Sequence, residues 1–126
     1  MEKDPYFIEI VIPGVPKSHN RALRSHFHAR KNENHYWYEL VKTMVGKKLP
    51  ETPLKKARIK IVRHYYRFLD WDGCVASMKP LVDGLVRARV LKDDTYAVTG
   101  PWDVTQQFLG KKEGGHVYML IWNDCH

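Results

Sequence analysis

Four segments of the chain predict strands, because they alternate apolar and polar positions or are rich in β-branched and aromatic residues. The first alternates through Ile8, Ile10 and Ile12 and ends before Gly14. The second is long, and its alternate residues 58, 60 and 64 project from one side. The predicted strands cover residues 6–12, 57–68, 96–104 and 116–122, and a turn at 114–115 precedes the last.

Helical spacing of apolar residues occurs in two segments. The first, residues 34–48, predicts an amphipathic helix through Trp37, Leu40, Val41, Met44 and Val45. The basic stretch before it, residues 17–32, is predicted as a loop. A second helix is predicted over residues 74–90, although Pro80 lies inside it. Because proline lacks the backbone donor, this helix either kinks at Pro80 or begins its regular part there.

The order of these elements is β-α-β-α-β-β, which predicts a compact α/β (α+β) domain. Its sheet is expected to be mixed and packed by two helices. A length of 126 residues is typical of one domain, so residues 1–126 are predicted to form a single unit.

The charge of the chain is uneven along its length. Lys and Arg number 21 against 14 Asp and Glu, a formal net charge of +7. Residues 1–69 hold 15 basic and 6 acidic residues, a balance of +9, whereas residues 70–126 hold 6 and 8, a balance of −2. A basic balance favours an anionic partner such as nucleic acid.

The sequence argues against several classes of protein. No apolar run approaches the ~20 residues that a membrane-spanning helix needs, and the first residues lack the pattern of a signal peptide. Two cysteines, Cys74 and Cys125, make no disulfide framework and no paired zinc-ligand spacing. We therefore expect a reduced cytosolic protein with no membrane partner.

Five acidic residues lie within 25 positions of one another: Asp70, Asp72, Asp83, Asp93 and Asp94. If Asp70 and Asp72 end a strand, their side chains project to the same side. If Asp72, Lys79 and Asp83 share one helix, they fall within about 40° of one another. The spacing therefore predicts a cluster of carboxylates with a lysine among them.

Such a cluster suits a metal-dependent phosphodiesterase. Crowded carboxylates repel one another unless a positive charge lies between them, and Mg²⁺ is bound through a few carboxylates plus phosphate oxygens. A lysine can stabilise the charge of a phosphate in transit. The alternative is structural, because residues 70–73 also suit a turn with a helix N-cap and residues 92–95 suit a surface turn.

The acidic segment resembles the RusA-like Holliday-junction resolvases, which are endodeoxyribonucleases of bacteria and their phages. The resemblance is carried by Asp70-Trp71-Asp72, Lys79, Asp83-Gly84-Leu85 and Asp93-Asp94. The segment from Pro13 to Arg21, with Ser18 and Asn20-Arg21, is similar to the opening of the family. In two places the chain departs from the family: Gly73 replaces an asparagine, and the segment after Asp94 is less basic, with Gln106 and Gln107.

The resemblance implies a homodimeric nuclease of the bacterial or phage-infected cytoplasm that uses Mg²⁺, or Mn²⁺, to nick four-way DNA junctions. It implies metal ligation by Asp70, Asp72 and Asp94, with Asp93 as a neighbouring candidate. It implies that Lys79 is the essential lysine and that Asp83 orients it.

A basic arm precedes the first predicted helix and is expected to bind DNA phosphates. Its residues are Lys17, Asn20, Arg21, Arg24, Arg30 and Lys31. The alternative is a solvated loop. Trp71 is expected in the core rather than as a platform for base stacking, and the aromatic run at 36–38 in the core or a dimer interface. Arg63 is expected to be an ordinary charge on a half-exposed strand.

Three functions remain open from the sequence. The first is a structure-selective endonuclease acting on branched DNA. The second is a non-catalytic basic DNA-binding module in which the acidic cluster is structural. The third is a nuclease with the same metal site that also accepts other branched or duplex DNA.

Overall fold

A mixed four-stranded sheet with helices packed on one face forms the domain. The computed structural model describes residues 6–16 and 27–124, with the backbone alone for residues 27–31. The strands are β1 (Phe7–Pro13), β2 (Ala57–Tyr65), β3 (Asp103–Phe108) and β4 (His116–Asn123). The helices are α1 (Phe27–Val45), α2 (Trp71–Ser77), α3 (Lys79–Arg87) and the single turn α4 (Tyr96–Thr99). Short 3-10 turns occupy Gly46–Lys48 and Lys111–Glu113.

The strands lie in the order β1-β4-β2-β3. β4 runs antiparallel to both β1 and β2, and Met119 faces Ile10 on one side and Ile61 on the other. β2 and β3 are parallel, with Ile61 opposite Val104. A parallel pair needs a long crossover, and here residues 66–102 form it with α2, α3 and α4. The predicted mixed α+β domain is confirmed.

The core lies between one face of the sheet and the helices. Alternate residues of β1, β2 and β4 face it, and these are Ile8, Ile10, Ile12, Ile59, Ile61, Val117, Met119 and Ile121. Helix residues cover them, among them Val41, Val45, Leu81, Val82 and Leu85. α1 and α3 approach closely at Gly84, where an added Cβ would lie 3.1 Å from Val41 Cγ2.

Three boundaries of the predicted elements were wrong. β2 ends at Tyr65 instead of residue 68. α1 begins at Phe27, so residues 27–32 are helical rather than loop. Ala29, Arg30 and Lys31 are good helix formers, but the apolar spacing that predicted the helix begins only at Trp37. Residues 96–104 are not one strand, because Tyr96–Thr99 form a helical turn and β3 begins at Asp103. Gly100, with φ of +60°, separates the two elements.

The predicted second helix is two helices, so three helices of two turns or more pack on the sheet instead of two. α2 ends at Ser77, Met78 has a non-ideal φ of −85° and ψ of −9°, and α3 begins at Lys79. Pro80 therefore lies in the first turn of α3, where a missing backbone donor costs nothing. This confirms the alternative in which the regular helix starts beside Pro80.

None of the described helices is both long enough and apolar enough to span a membrane. The longest, α1, has 19 residues and carries charged residues along its length.

We expect Ile61→Ala to destabilise the domain by about 2–5 kcal/mol, because Ile61 is fully buried at the centre of the sheet and its loss leaves a cavity. Chemical denaturation measures the free energy of unfolding. The matched control is the neighbouring exposed residue, and Lys60→Ala should change stability by less than about 0.5 kcal/mol. Equal effects of the two substitutions would contradict the assigned faces of β2.

Candidate functional site

A clamp made by Arg63 and Gln106 holds the loop that leads from β2 to the acidic segment. Gln106 Oε1 accepts the backbone N–H of Leu69 at 2.9 Å, and Gln106 Nε2 donates to the Leu69 carbonyl at 2.8 Å. Arg63 Nη1 donates to the Arg67 carbonyl at 2.7 Å and to Gln106 Oε1 at 3.1 Å. The clamp fixes the backbone one residue before Asp70.

Arg63 was wrongly expected to be an ordinary charge on a half-exposed strand. Its exposed fraction is 3%, because it lies on the same face of β2 as Ile59 and Ile61. Burial lowers the pKa of the Arg63 guanidinium. Its Nη1 donates the two hydrogen bonds of the clamp, and its Cζ lies 4.9 Å from the centre of the Tyr65 ring, in a cation–π contact. The sequence allows this burial to be predicted, because residues two apart on a strand share a face and Arg63 follows Ile61 at that spacing.

Asp70 and Asp72 lie at the start of α2 and not at the end of a strand, so the expected extended geometry was wrong. Asp70 is the N-cap residue, with extended backbone, and its carbonyl accepts the N–H of Cys74 at 2.9 Å. Its side chain makes no capping hydrogen bond. Asp72 lies exposed in the first turn. Both carboxylates therefore lie where the helix dipole favours negative charge.

Gly73 leaves room for the Asp70 carboxylate. A Cβ at position 73 would lie 2.7 Å from Asp70 Oδ1, which is closer than two such atoms approach. Any larger residue, including the asparagine of the family pattern, would have to displace this carboxylate from the first turn of α2. The departure at Gly73 thus has a structural consequence for Asp70.

Lys79 gathers two aspartates from different parts of the chain. Its Nζ contacts Asp83 Oδ1 at 2.9 Å, one helical turn along α3, and it also contacts Asp94 Oδ2. The predicted neighbourhood of Lys79 and Asp83 is confirmed. The prediction that Asp72 shares a helix with Lys79 and Asp83 was wrong, because the helix is interrupted at Met78. Asp93 is exposed, and its Oδ1 accepts the backbone N–H of Asp94 at 2.8 Å.

The loop that carries Asp94 is tied to the body of the domain. Leu54 and Leu91 form an isolated parallel bridge. Leu54 donates its N–H to the Val90 carbonyl and accepts the N–H of Lys92, both at 2.9 Å. The position of Asp94 is therefore fixed by the backbone as well as by the ammonium of Lys79.

A cavity of about 360 Å³ connects the start of α2 to Asp94. Its lining residues are Trp71, Val75, Asp94, Tyr96, Thr99, Gly100, Pro101 and Trp102. Trp71, which separates Asp70 from Asp72, is 69% exposed, so its expected place in the core was wrong. Trp71 is the first residue of α2, and the buried residues of this helix are Cys74 and Ser77.

The donor chemistry of the aspartates fits a hard divalent cation, because exposed carboxylate oxygens are the ligands that Mg²⁺ takes. Within residues 6–16 and 27–124, however, no three His, Cys, Asp or Glu side chains are grouped closely enough to hold a metal ion. Lys79 instead balances Asp83 and Asp94. Cys74 is buried, and this burial raises the pKa of its thiol.

The basic arm is only partly covered by the structure. Lys17, Asn20, Arg21 and Arg24 lie outside the described residues. Arg30 and Lys31 belong to the first turns of α1, and their side chains also lie outside the description. In the aromatic run at 36–38, Trp37 is buried as predicted, whereas Tyr36 is exposed.

The chain was compared with known proteins. No protein-family model matches it. No curated protein matches it either. The resemblance to the resolvases therefore rests on two motifs alone, the segment Pro13 to Arg21 and the aspartates around Lys79, and function has to be argued from the site itself.

We expect Gln106→Ala to lower the free energy of unfolding by about 1–3 kcal/mol, because the polar groups of Leu69 lose their partners. The amide of Leu69 should also exchange faster with solvent in hydrogen exchange. Gln107→Ala is the matched control, because Gln107 is the next residue of β3 and is exposed. The clamp is disproved if Gln106→Ala leaves both the stability and the Leu69 exchange unchanged.

Proposed function

We propose that the chain is a Mg²⁺-dependent endodeoxyribonuclease that nicks branched DNA, in particular four-way junctions in recombination and repair. One observation carries the proposal. The ammonium of Lys79 lies against Asp83 and Asp94, and the cavity beside Asp94 reaches Trp71 between Asp70 and Asp72. A lysine surrounded by aspartates, open to solvent, is the arrangement expected for chemistry on a phosphodiester.

The residues that would hold the metal are Asp70, Asp72 and Asp94, with Asp93 as a neighbour, and because the described residues include no group of three such side chains, they would have to approach one another to share an ion. Mn²⁺ offers the same preference for oxygen ligands and is the second candidate. When bound, such an ion lowers the pKa of water and stabilises negative charge on a phosphodiester.

Lys79 supplies the cation that this chain itself brings to the phosphate. Its side chain is 51% exposed, so a non-bridging phosphate oxygen has access to Nζ. Asp83 lies one turn along the same helix and restrains the flexible lysine stem. We therefore assign Lys79 to charge stabilisation in the transition state and Asp83 to the positioning of Lys79.

The basic part of the chain would gather DNA for this site. Residues 1–69 carry a balance of +9, and the arm with Lys17, Arg21 and Arg24 contributes to it. A homodimer would hold two such sites, one for each of two strands at a junction. The proposed setting is the cytoplasm of a bacterial or phage-infected cell, where DNA junctions arise.

The second candidate is a DNA-binding module without catalysis. It is favoured by the two ion pairs of Lys79, which join α3 to the loop at 92–95 without any metal ion. In this case the aspartates stabilise the crossover, and no metal is required. Junctions, flaps and plain duplex, each tested with and without Mg²⁺, separate the two candidates and also reveal a nuclease of broader specificity.

We predict that Asp72→Asn abolishes metal-dependent nicking and leaves junction binding intact, because the amide removes a metal-ligating charge without changing the shape of the side chain. Nicking of a labelled junction and binding in a gel-shift assay measure the two properties. Asp103→Asn is the control, because Asp103 is exposed at the start of β3. Wild-type cleavage by Asp72→Asn would show that the assignment of this ligand is wrong.

We also predict that replacing Arg21 and Arg24 by Ala flattens the dependence of log affinity on log salt concentration. Each lost phosphate contact should reduce the slope by about one unit. Lys47→Ala, in the 3-10 turn after α1, is the control and should leave the slope unchanged. An unchanged slope in the double variant would remove the arm from the proposed interface.

A further inference from the structure

The cavity beside Asp94 has exposed aromatic walls. Trp71 begins α2 and is 69% exposed, and Tyr96 begins α4 and is 77% exposed. Both line the same cavity. Large aromatic side chains dominate the burial energy of cores and interfaces, so two of them left open beside one cavity indicate a surface that is covered by a ligand.

Polar side-chain atoms that line the cavity form hydrogen bonds with other lining residues. Trp102 Nε1 donates to Thr99 Oγ1 at 3.0 Å, and Thr99 Oγ1 donates to the Gly100 carbonyl at 2.9 Å. Pro101 has no backbone donor. The described residues that line the cavity include no lysine or arginine. The cavity therefore presents flat apolar surface, and a phosphate would find no cation in it.

Charge at the rim connects the cavity to the proposed reaction centre. Asp94 lines the cavity and also contacts the ammonium of Lys79. Asp94 is thus shared by the cavity and by the ion pairs of Lys79. Under the proposed function, a phosphate bound at Lys79 would lie beside a residue of the cavity, and the base of the same nucleotide would enter the cavity.

We propose that this cavity binds one unstacked nucleobase of the DNA strand, held between the side chains of Trp71 and Tyr96 next to the bond that is cut. This site rests on the proposed function and deepens it. Every base has an aromatic face, so stacking captures a base without reading its sequence. A branch point supplies such bases, because unpairing costs least where the duplex is already interrupted.

The test measures DNA binding without divalent metal, so that the DNA stays intact. The probes are forked duplexes in which an abasic nucleotide replaces each residue around the branch point, one at a time. For the wild-type protein, one abasic position should weaken binding by roughly 5- to 150-fold. Trp71→Ala should weaken binding of the intact fork by a similar factor and should no longer respond to that abasic position.

Two variants sharpen the measurement. Trp71→Phe retains an aromatic face and should keep most of the response to the abasic nucleotide. Phe7→Ala removes an aromatic side chain of similar exposure, 65%, from β1 at the edge of the sheet, and should behave as the wild type. The base site is refuted if Trp71→Ala weakens intact and abasic DNA equally, or weakens neither. It is also refuted if Trp71→Ala lowers the oligomeric mass in sedimentation, because the cavity would then bind a second copy.

The base site and the nuclease can fail separately. A Trp71-dependent response to the abasic nucleotide without any metal-dependent nicking would support the base site and reject the nuclease. Metal-dependent nicking by a protein whose DNA binding ignores both Trp71 and the abasic nucleotide would reject the base site and support the nuclease.

Discussion

Parallel pairing of β2 with β3 is the constraint that organises the site, because the chain must cross the sheet between two strands that run in the same direction. The crossover, residues 66–102, carries all the acidic residues singled out from the sequence, together with Lys79 and the aromatic walls of the cavity. The ammonium of Lys79 then draws α3 and the loop of Asp94 together. A single connection thus brings the charged groups and the cavity to one place.

The clamp explains how this crossover starts at a defined position. Gln106 pairs with the backbone of Leu69 much as a neighbouring strand would, and the buried Arg63 supports its amide. Gln106 belongs to the segment that looked less basic than the resolvase pattern. In the fold its side chain holds the backbone of Leu69, next to Asp70. Gly73, the other departure, leaves space for the same carboxylate.

The elements with a clear period were predictable, and the site was predictable only where neighbours in sequence remain neighbours in space. β1 and β4 follow from alternation, and the pairing of Lys79 with Asp83 follows from the helical turn. The break at Met78 was indicated by Pro80 alone, because apolar spacing continues across it. The exposure of Trp71 and the approach of Asp94 to Lys79 depend on how the crossover packs, which local patterns do not encode.

The distribution of charge ties the aspartates of the crossover to the basic half of the chain. Asp70, Asp72, Asp83 and Asp94 together outweigh Lys79 by three negative charges, so these side chains by themselves repel a phosphodiester. For the proposed nuclease, attraction to DNA would come from the surplus of +9 in residues 1–69, which acts over a longer range. Under the proposed function, a divalent cation then reduces the local repulsion where the phosphate meets Lys79. A module without a metal would instead have to keep DNA phosphates away from the crossover, and its aspartates would select against close contact at that surface.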